Sequence, residues 1–214
     1  MKHTRWIAAA VVCLVLAGCT RGVDAPRPKR EPPVAPITAG QVSDLLSERA
    51  TPDEDPNLFV TVKPEECAGL AQEVDPPFIF DARPAAHDGG QWFADDAERS
   101  VSIEEMVGVY RGDFDPKAAI DEVTRTVMSC SGTLTATAME GEVVQFRRLP
   151  LTDSGSPEIV LWSMAGEWSC DNAFIAAYNA AIELTACGEA NGFDVLSLAQ
   201  DALKRIETLA NMTA

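Results

Sequence analysis

The sequence predicts an α+β domain: an antiparallel β-sheet packed with helices and held by two disulfides, behind a lipoprotein signal peptide and a Pro-rich tether. Three observations carry this. Val15-Leu16-Ala17-Gly18-Cys19 closes a short apolar run on a cysteine, the pattern of a bacterial lipobox. Four cysteines stand downstream of it. Residues 168–188 admit a hairpin register that sets two of these face to face.

Lys2, His3 and Arg5 form a basic n-region, and Trp6 to Ala17 form an apolar h-region of 12 residues. That is too short to span a bilayer, which takes about 20 residues, and suits a signal peptide. The reading is a signal peptide over 1–18, cleavage before Cys19 and lipidation of its sulfur, which anchors the chain on the outer face of the cell membrane. Cys13 leaves with the signal peptide. Residues 19–37 continue as a tether: five prolines follow Cys19 with no apolar period, so this stretch builds no core. Its basic residues, Arg21, Arg27, Lys29 and Arg30, stand close to the anchor.

The folded domain is expected over 38–214. Hydrophobic residues make up 46% of the chain, enough for one core. The net charge is −16, and residues 1–18 carry Lys2 and Arg5 but no acid. So acidic a surface excludes nucleic-acid binding, which needs clustered Lys and Arg.

Val42, Leu45 and Leu46 predict a short helix, and Leu58–Val62 a short strand. Pro64-Glu65-Glu66-Cys67 reads as a helix start, with Cys67 and Leu70 on its inner face. Residues 75–99 lack a clear pattern; Phe78, Ile79, Phe80, Trp92 and Phe93 are expected in strands. Val101 to Tyr110 mark one or two further strands. Asp115-Pro116 opens a helix whose stripe is Ile120, Val123, Val127 and Cys130, and Gly132 stops it. Thr133–Ala138, Glu142–Pro150 and Glu158–Ala165 then read as an antiparallel meander.

Residues 168–188 are rich in alanine, and propensity alone says helix. A helix would hold Cys170 and Cys187 about 25 Å apart at ~1.5 Å per residue. A hairpin turning at Tyr178-Asn179 instead pairs Ala177 with Ala180 and, carried outward, Cys170 with Cys187. That pair falls on a non-hydrogen-bonded position, where side chains are closest. The register also sorts Ala173, Ile175, Ala177, Ala180, Ile182, Leu184 and Ala186 onto one apolar face. Asn172, Phe174, Ala176, Ala181, Glu183 and Thr185 share the other with the cysteines. The turn is expected to place Asn179 at positive φ. A C-terminal helix follows, capped by Asp194, with Leu196, Ala199, Leu203, Ile206 and Ala210 as its stripe.

Removing Cys13 and Cys19 leaves four cysteines, which allow three connectivities. Export favours disulfides. With Cys170 paired to Cys187, Cys67 pairs with Cys130.

Trp168-x-Cys170-x-x-Ala173, Asn179-x-x-Ile182-x-Leu184-x-Ala186-Cys187-Gly188 and Glu66-Cys67-Ala68-Gly69-Leu70 together resemble the PknH-like extracellular sensor domain. The resemblance covers residues 38–211. It departs at Val127, where a tryptophan is expected three residues before the second cysteine. It implies an α+β domain with two disulfides and a cleft for an unknown ligand, and it carries over no catalytic residue. With no kinase segment in this sequence, output would pass through a protein partner.

No cofactor and no metal site is expected. His87 is the one histidine after the signal peptide and reads as a loop residue; no G-x-S-x-G elbow supplies a serine. The alternative is a small envelope hydrolase using His87 and neighbouring acids. Asp88, Asp95, Asp96 and Glu98 offer oxygen ligands for Ca²⁺ but do not follow EF-hand order. Asp113-x-Asp115 reads as a turn and cap. Trp92, Trp162 and Trp168 are candidates for a pocket or for core.

Overall fold

A computed structural model describes residues 37–52, 58–96 and 99–212. Its strands are β1 (Phe59–Lys63), β2 (Ala86–Asp96), β3 (Arg99–Val109), β4 (Thr133–Ala138), β5 (Val143–Arg148), β6 (Ile159–Gly166), β7 (Ser169–Ala177) and β8 (Ala180–Gly188). They form one sheet in the order β1-β4-β5-β6-β7-β8-β3-β2, antiparallel at every step. Its α-helices are α1 (Pro77–Phe80), α2 (Pro116–Ser129) and α3 (Val195–Met212), joined by 3-10 helices over Ala39–Leu45 and Glu65–Leu70.

The β7–β8 hairpin sits at the sheet's centre in the expected register, with Cys170 opposite Cys187 and Ala177 opposite Ala180. The two strands are buried almost throughout, which explains how alanine-rich chain prefers strand to helix here. Both faces of the hairpin are covered. Ala173, Ile175, Ile182 and Leu184 join a core with α3, where Ala199, Ala202 and Ile206 are fully buried. Phe174, Ala176 and Ala181 join a second core with Ile120, Val123 and Val127 of α2. Both cores are built from residues between Ile37 and Ala210.

Four expectations are corrected. Phe78, Ile79 and Phe80 form the helical turn α1 rather than a strand, started by Pro77 at its first position. Phe78 meets Trp162 and Phe174 edge-on, and Tyr110 Oη donates to Ile79 O at 2.8 Å. Residues 86–96 form a full strand, and Trp92 and Phe93 do lie in it. As the sheet's last strand, β2 needs no continuous apolar pattern. Gly90 lets the segment at Thr51 come close: a Cβ there would stand 2.8 Å from Thr51 O. At the hairpin tip the positive φ, +54°, belongs to Tyr178 and not to Asn179, matching a type II′ turn. The α3 stripe turns slightly from expectation: Val195, Ala202 and Leu209 are buried, while Leu196 and Leu203 are half-buried.

The helix caps agree with expectation. Asp115 caps α2 by accepting from Ala118 N, and Asp194 caps α3 by accepting from Ser197 N. Glu105, on the α3 side of β3, accepts from Ser47 N at 2.8 Å and pairs with Arg205, whose Nε donates to Leu45 O at 2.7 Å. One buried carboxylate thus holds β3, α3 and the segment after the first 3-10 helix together.

Candidate functional site

The sheet curls around the face that carries Cys170 and Cys187, so strands far apart in its order look at each other across a cleft. One wall is Phe59 of β1, Ala138 of β4 and Val144 of β5. The other is Gln91 and Phe93 of β2, Ser102 and Glu104 of β3 and Cys187 of β8. Trp168, in the β6–β7 turn, stands at the rim, and the cleft encloses about 540 Å³. A smaller recess of about 280 Å³ shares Glu73 and Glu104 with it and reaches Glu183 and Thr185.

Sheet register builds the second wall. Asn172 pairs with Thr185, Thr185 with Glu104 and Glu104 with Gln91, a polar row across four strands. Cys170, Cys187, Ser102 and Phe93 form the next row, and Phe174, Glu183, Met106 and Gly89 the one on its other side. Each row follows from the two-residue period of a strand.

The polar row and the neighbouring row that carries Glu183 are incompletely satisfied. Gln91 Oε1, Asn172 Oδ1 and Glu183 Oε2 are buried and have no hydrogen-bond partner. Glu183 is only 6% exposed. Burial pushes its carboxyl well above the ordinary carboxylate range, and the nearby Glu73 pushes it the same way. Burial, helped by the charge of Glu183, also holds the Tyr110 hydroxyl well above the usual phenol range. Glu73 is positioned by its own backbone contact, accepting from Phe59 N at 2.8 Å.

The two disulfides are Cys67–Cys130 and Cys170–Cys187. The first ties the 3-10 helix Glu65–Leu70 to the end of α2, with Cα atoms 5.8 Å apart. The second staples the central hairpin, with Cα atoms 4.1 Å apart, as a non-hydrogen-bonded pair requires.

A model of the PknH-like extracellular domain matches residues 28–205. The chain belongs to this family. The crystal structure of the extracellular domain of PknH from Mycobacterium tuberculosis aligns with a TM-score of 0.62 at 17% identity, covering 84% of this chain and 99% of that one. No curated protein matches.

Within this PknH-like domain the other sequence candidates separate. Cys19 lies outside the described residues. No described helix is long and apolar enough to cross a membrane. His87 lies on strand β2, not in a loop, exposed and edge-on to Phe80 at 4.8 Å, away from the cleft walls. Asp88 accepts from Ser43 Oγ and Gly89 N. Asp95 and Asp96 fall on β2, and Glu98 lies outside the described residues. Among the described residues no group of three or more His, Cys, Asp or Glu is placed to hold a metal. Trp162 is core, donating Nε1 to Leu70 O at 2.9 Å; Trp92 is core on the α3 side; Trp168, 46% exposed, is the one of the three that lines the cleft.

Sequence reasoning did not single out Glu73, Gln91, Glu104 or Glu183 as site residues. The available signal was the hairpin register, which put Asn172, Glu183 and Thr185 on the cysteine face of a buried element. Polar residues at such positions are expensive without partners and mark a site.

Proposed function

We propose that this domain is the outer, ligand-binding part of a membrane-anchored lipoprotein, a non-catalytic sensor module held to the cell membrane through lipid on Cys19. One observation supports the binding role above others: the cleft sets an apolar wall against a wall with buried acceptors that have no hydrogen-bond partner. Ligand pockets have this composition, mostly apolar with a few convergent polar groups, and the volume falls in their usual range. The PknH-like fold supports the sensor reading, and the lipobox supports the anchor. The hydrolase alternative draws no support from His87, which is exposed on β2 and has no serine or aspartate hydrogen-bonded to it among the described residues.

The test is to expose the protein to envelope extract and identify retained compounds by mass spectrometry, beside a Ser102→Trp variant that fills the cleft. Compounds held by the parent and lost from the filled variant support the reading. Identical retention by the two proteins refutes it.

A further inference from the structure

The chemistry lining the cleft is one-sided. Among the described residues of the cleft and its recess there are Glu73, Glu104, Glu105, Glu142 and Glu183 but no lysine, arginine or histidine, and of these acids Glu105 is paired with Arg205. Three unpartnered buried side-chain atoms lie on this face, Gln91 Oε1, Asn172 Oδ1 and Glu183 Oε2, all of them oxygens, and Gln91 and Glu183 line the cleft and its recess. Trp92 Nε1, the one buried donor without a partner among the described residues, sits in the α3 core on the opposite face. Gln91 Oε1 therefore calls for a donor, and at Glu183, which burial keeps protonated, a cationic donor takes the place of that proton. Glu183 weighs most, since a nearly inaccessible carboxyl with an orphan oxygen lines the recess.

The rim adds a second requirement. Trp168 and Phe93 line the cleft while remaining 46% and 62% exposed. Aromatic faces beside carboxylates attract cations through the ring quadrupole, and do so more strongly as water is excluded. Phe59, Ala138 and Val144 supply an apolar wall for the remainder of a ligand.

We propose that the cleft binds a small organic cation, an ammonium group on an apolar stem, with its N–H groups toward Glu104, Gln91 and Glu183 and its stem against Trp168 and Phe93. This rests on the reading of the cleft as the ligand site and adds the class of ligand. The described lining offers no cation to an anionic or sugar-phosphate ligand.

The experiment uses three matched probes: 4-phenylbutylammonium, 4-phenylbutanol and 4-phenylbutyrate. Each is titrated into the chain from residue 20 to 214, which keeps every residue of both cores, and followed by ¹H–¹⁵N NMR. The ammonium probe should shift the Trp168 indole, Gln91 and Thr185 resonances and bind at least about tenfold more tightly than the alcohol, about 1.4 kcal/mol. The carboxylate should leave these resonances unmoved. Glu104→Gln and Trp168→Ala should each weaken the ammonium probe about fivefold or more while leaving the melting temperature within a few degrees. Alcohol binding as tight as ammonium, at the same resonances, overturns the cation assignment but leaves the cleft standing. Unmoved cleft resonances with all three probes overturn the assignment too, and the cleft itself is then judged by the filled Ser102→Trp variant.

Discussion

Asn179 clasps Ile37 from the far end of the chain. Its Oδ1 accepts from Ile37 N at 2.8 Å, and its Nδ2 donates to Ile37 O at 2.9 Å and to Tyr110 O at 2.9 Å. A turn side chain thereby imitates a β-bridge, fixing where the chain enters the domain and where it leaves β3. Asn179→Ala strands three buried backbone groups, so it should cost roughly 3 kcal/mol in denaturant unfolding. A loss under about 1 kcal/mol would show that water replaces the clasp.

Tyr178, beside it, carries the positive φ of +54° that an L side chain tolerates poorly. Glycine is at ease there, at some cost to unfolded-chain entropy. Tyr178→Gly should therefore leave stability unchanged or raise it by up to about 1 kcal/mol. Tyr178→Pro, with φ fixed near −65°, should prevent normal folding. Clear destabilisation by glycine would mean that the tyrosine ring contributes more than its backbone costs.

The disulfides close loops of sequence separation 63 and 17. By the chain-entropy model, Cys67→Ala with Cys130→Ala should cost about 4 kcal/mol and Cys170→Ala with Cys187→Ala about 3 kcal/mol. Equilibrium unfolding of the two double variants checks both values. A larger loss at the hairpin would place its contribution in native-state packing rather than in the unfolded chain.

Glu183 should make the protein less stable as pH rises. Its carboxyl sits well above the ordinary value of 4.5, so the folded chain keeps a proton that the unfolded chain releases. Stability from this group is present below that value and is lost as pH climbs through the elevated folded value. Glu183→Gln removes the dependence. The variant should exceed the parent in stability at neutral pH, with the gap closing toward pH 4, when unfolding is followed from about pH 4 to about pH 8. Parallel pH profiles would show that Glu183 is ionised in the folded protein.

The proposed lipid anchor has its own test. Cys19→Ala should abolish incorporation of labelled fatty acid and release the protein from membranes on fractionation. Full membrane retention without label would point to another means of attachment.

The central hairpin was legible because cysteine pairing imposed a distance that helix propensity could not meet. The meander and the α2 and α3 caps were legible from turn residues and from Asp115 and Asp194. What escaped was set by neighbours rather than by local pattern. β2 takes its strand from eleven paired residues of β3, from Ala86 opposite Val109 to Asp96 opposite Arg99. The aromatic run Phe78-Ile79-Phe80 becomes helical because Pro77 starts a turn and Trp162 and Phe174 receive Phe78. The cleft needed two sheet halves brought face to face, so Gln91, Glu104 and Glu73 carried no linear signature. Glu183 did, as the one acid on a buried strand that is mostly apolar.

The order β1-β4-β5-β6-β7-β8-β3-β2 also governs assembly in time. The β2–β3 hairpin is complete early, yet its inner edge has no mate until β8 exists. The meander from β4 onward likewise ends in open hydrogen-bonding groups until β7 joins it. A chain emerging amino end first therefore carries two unfinished ladders, each able to pair with a stranger, until Gly188 has left the exit. β8 is the last strand to appear, and its pairing with β3 turns two fragments into one sheet.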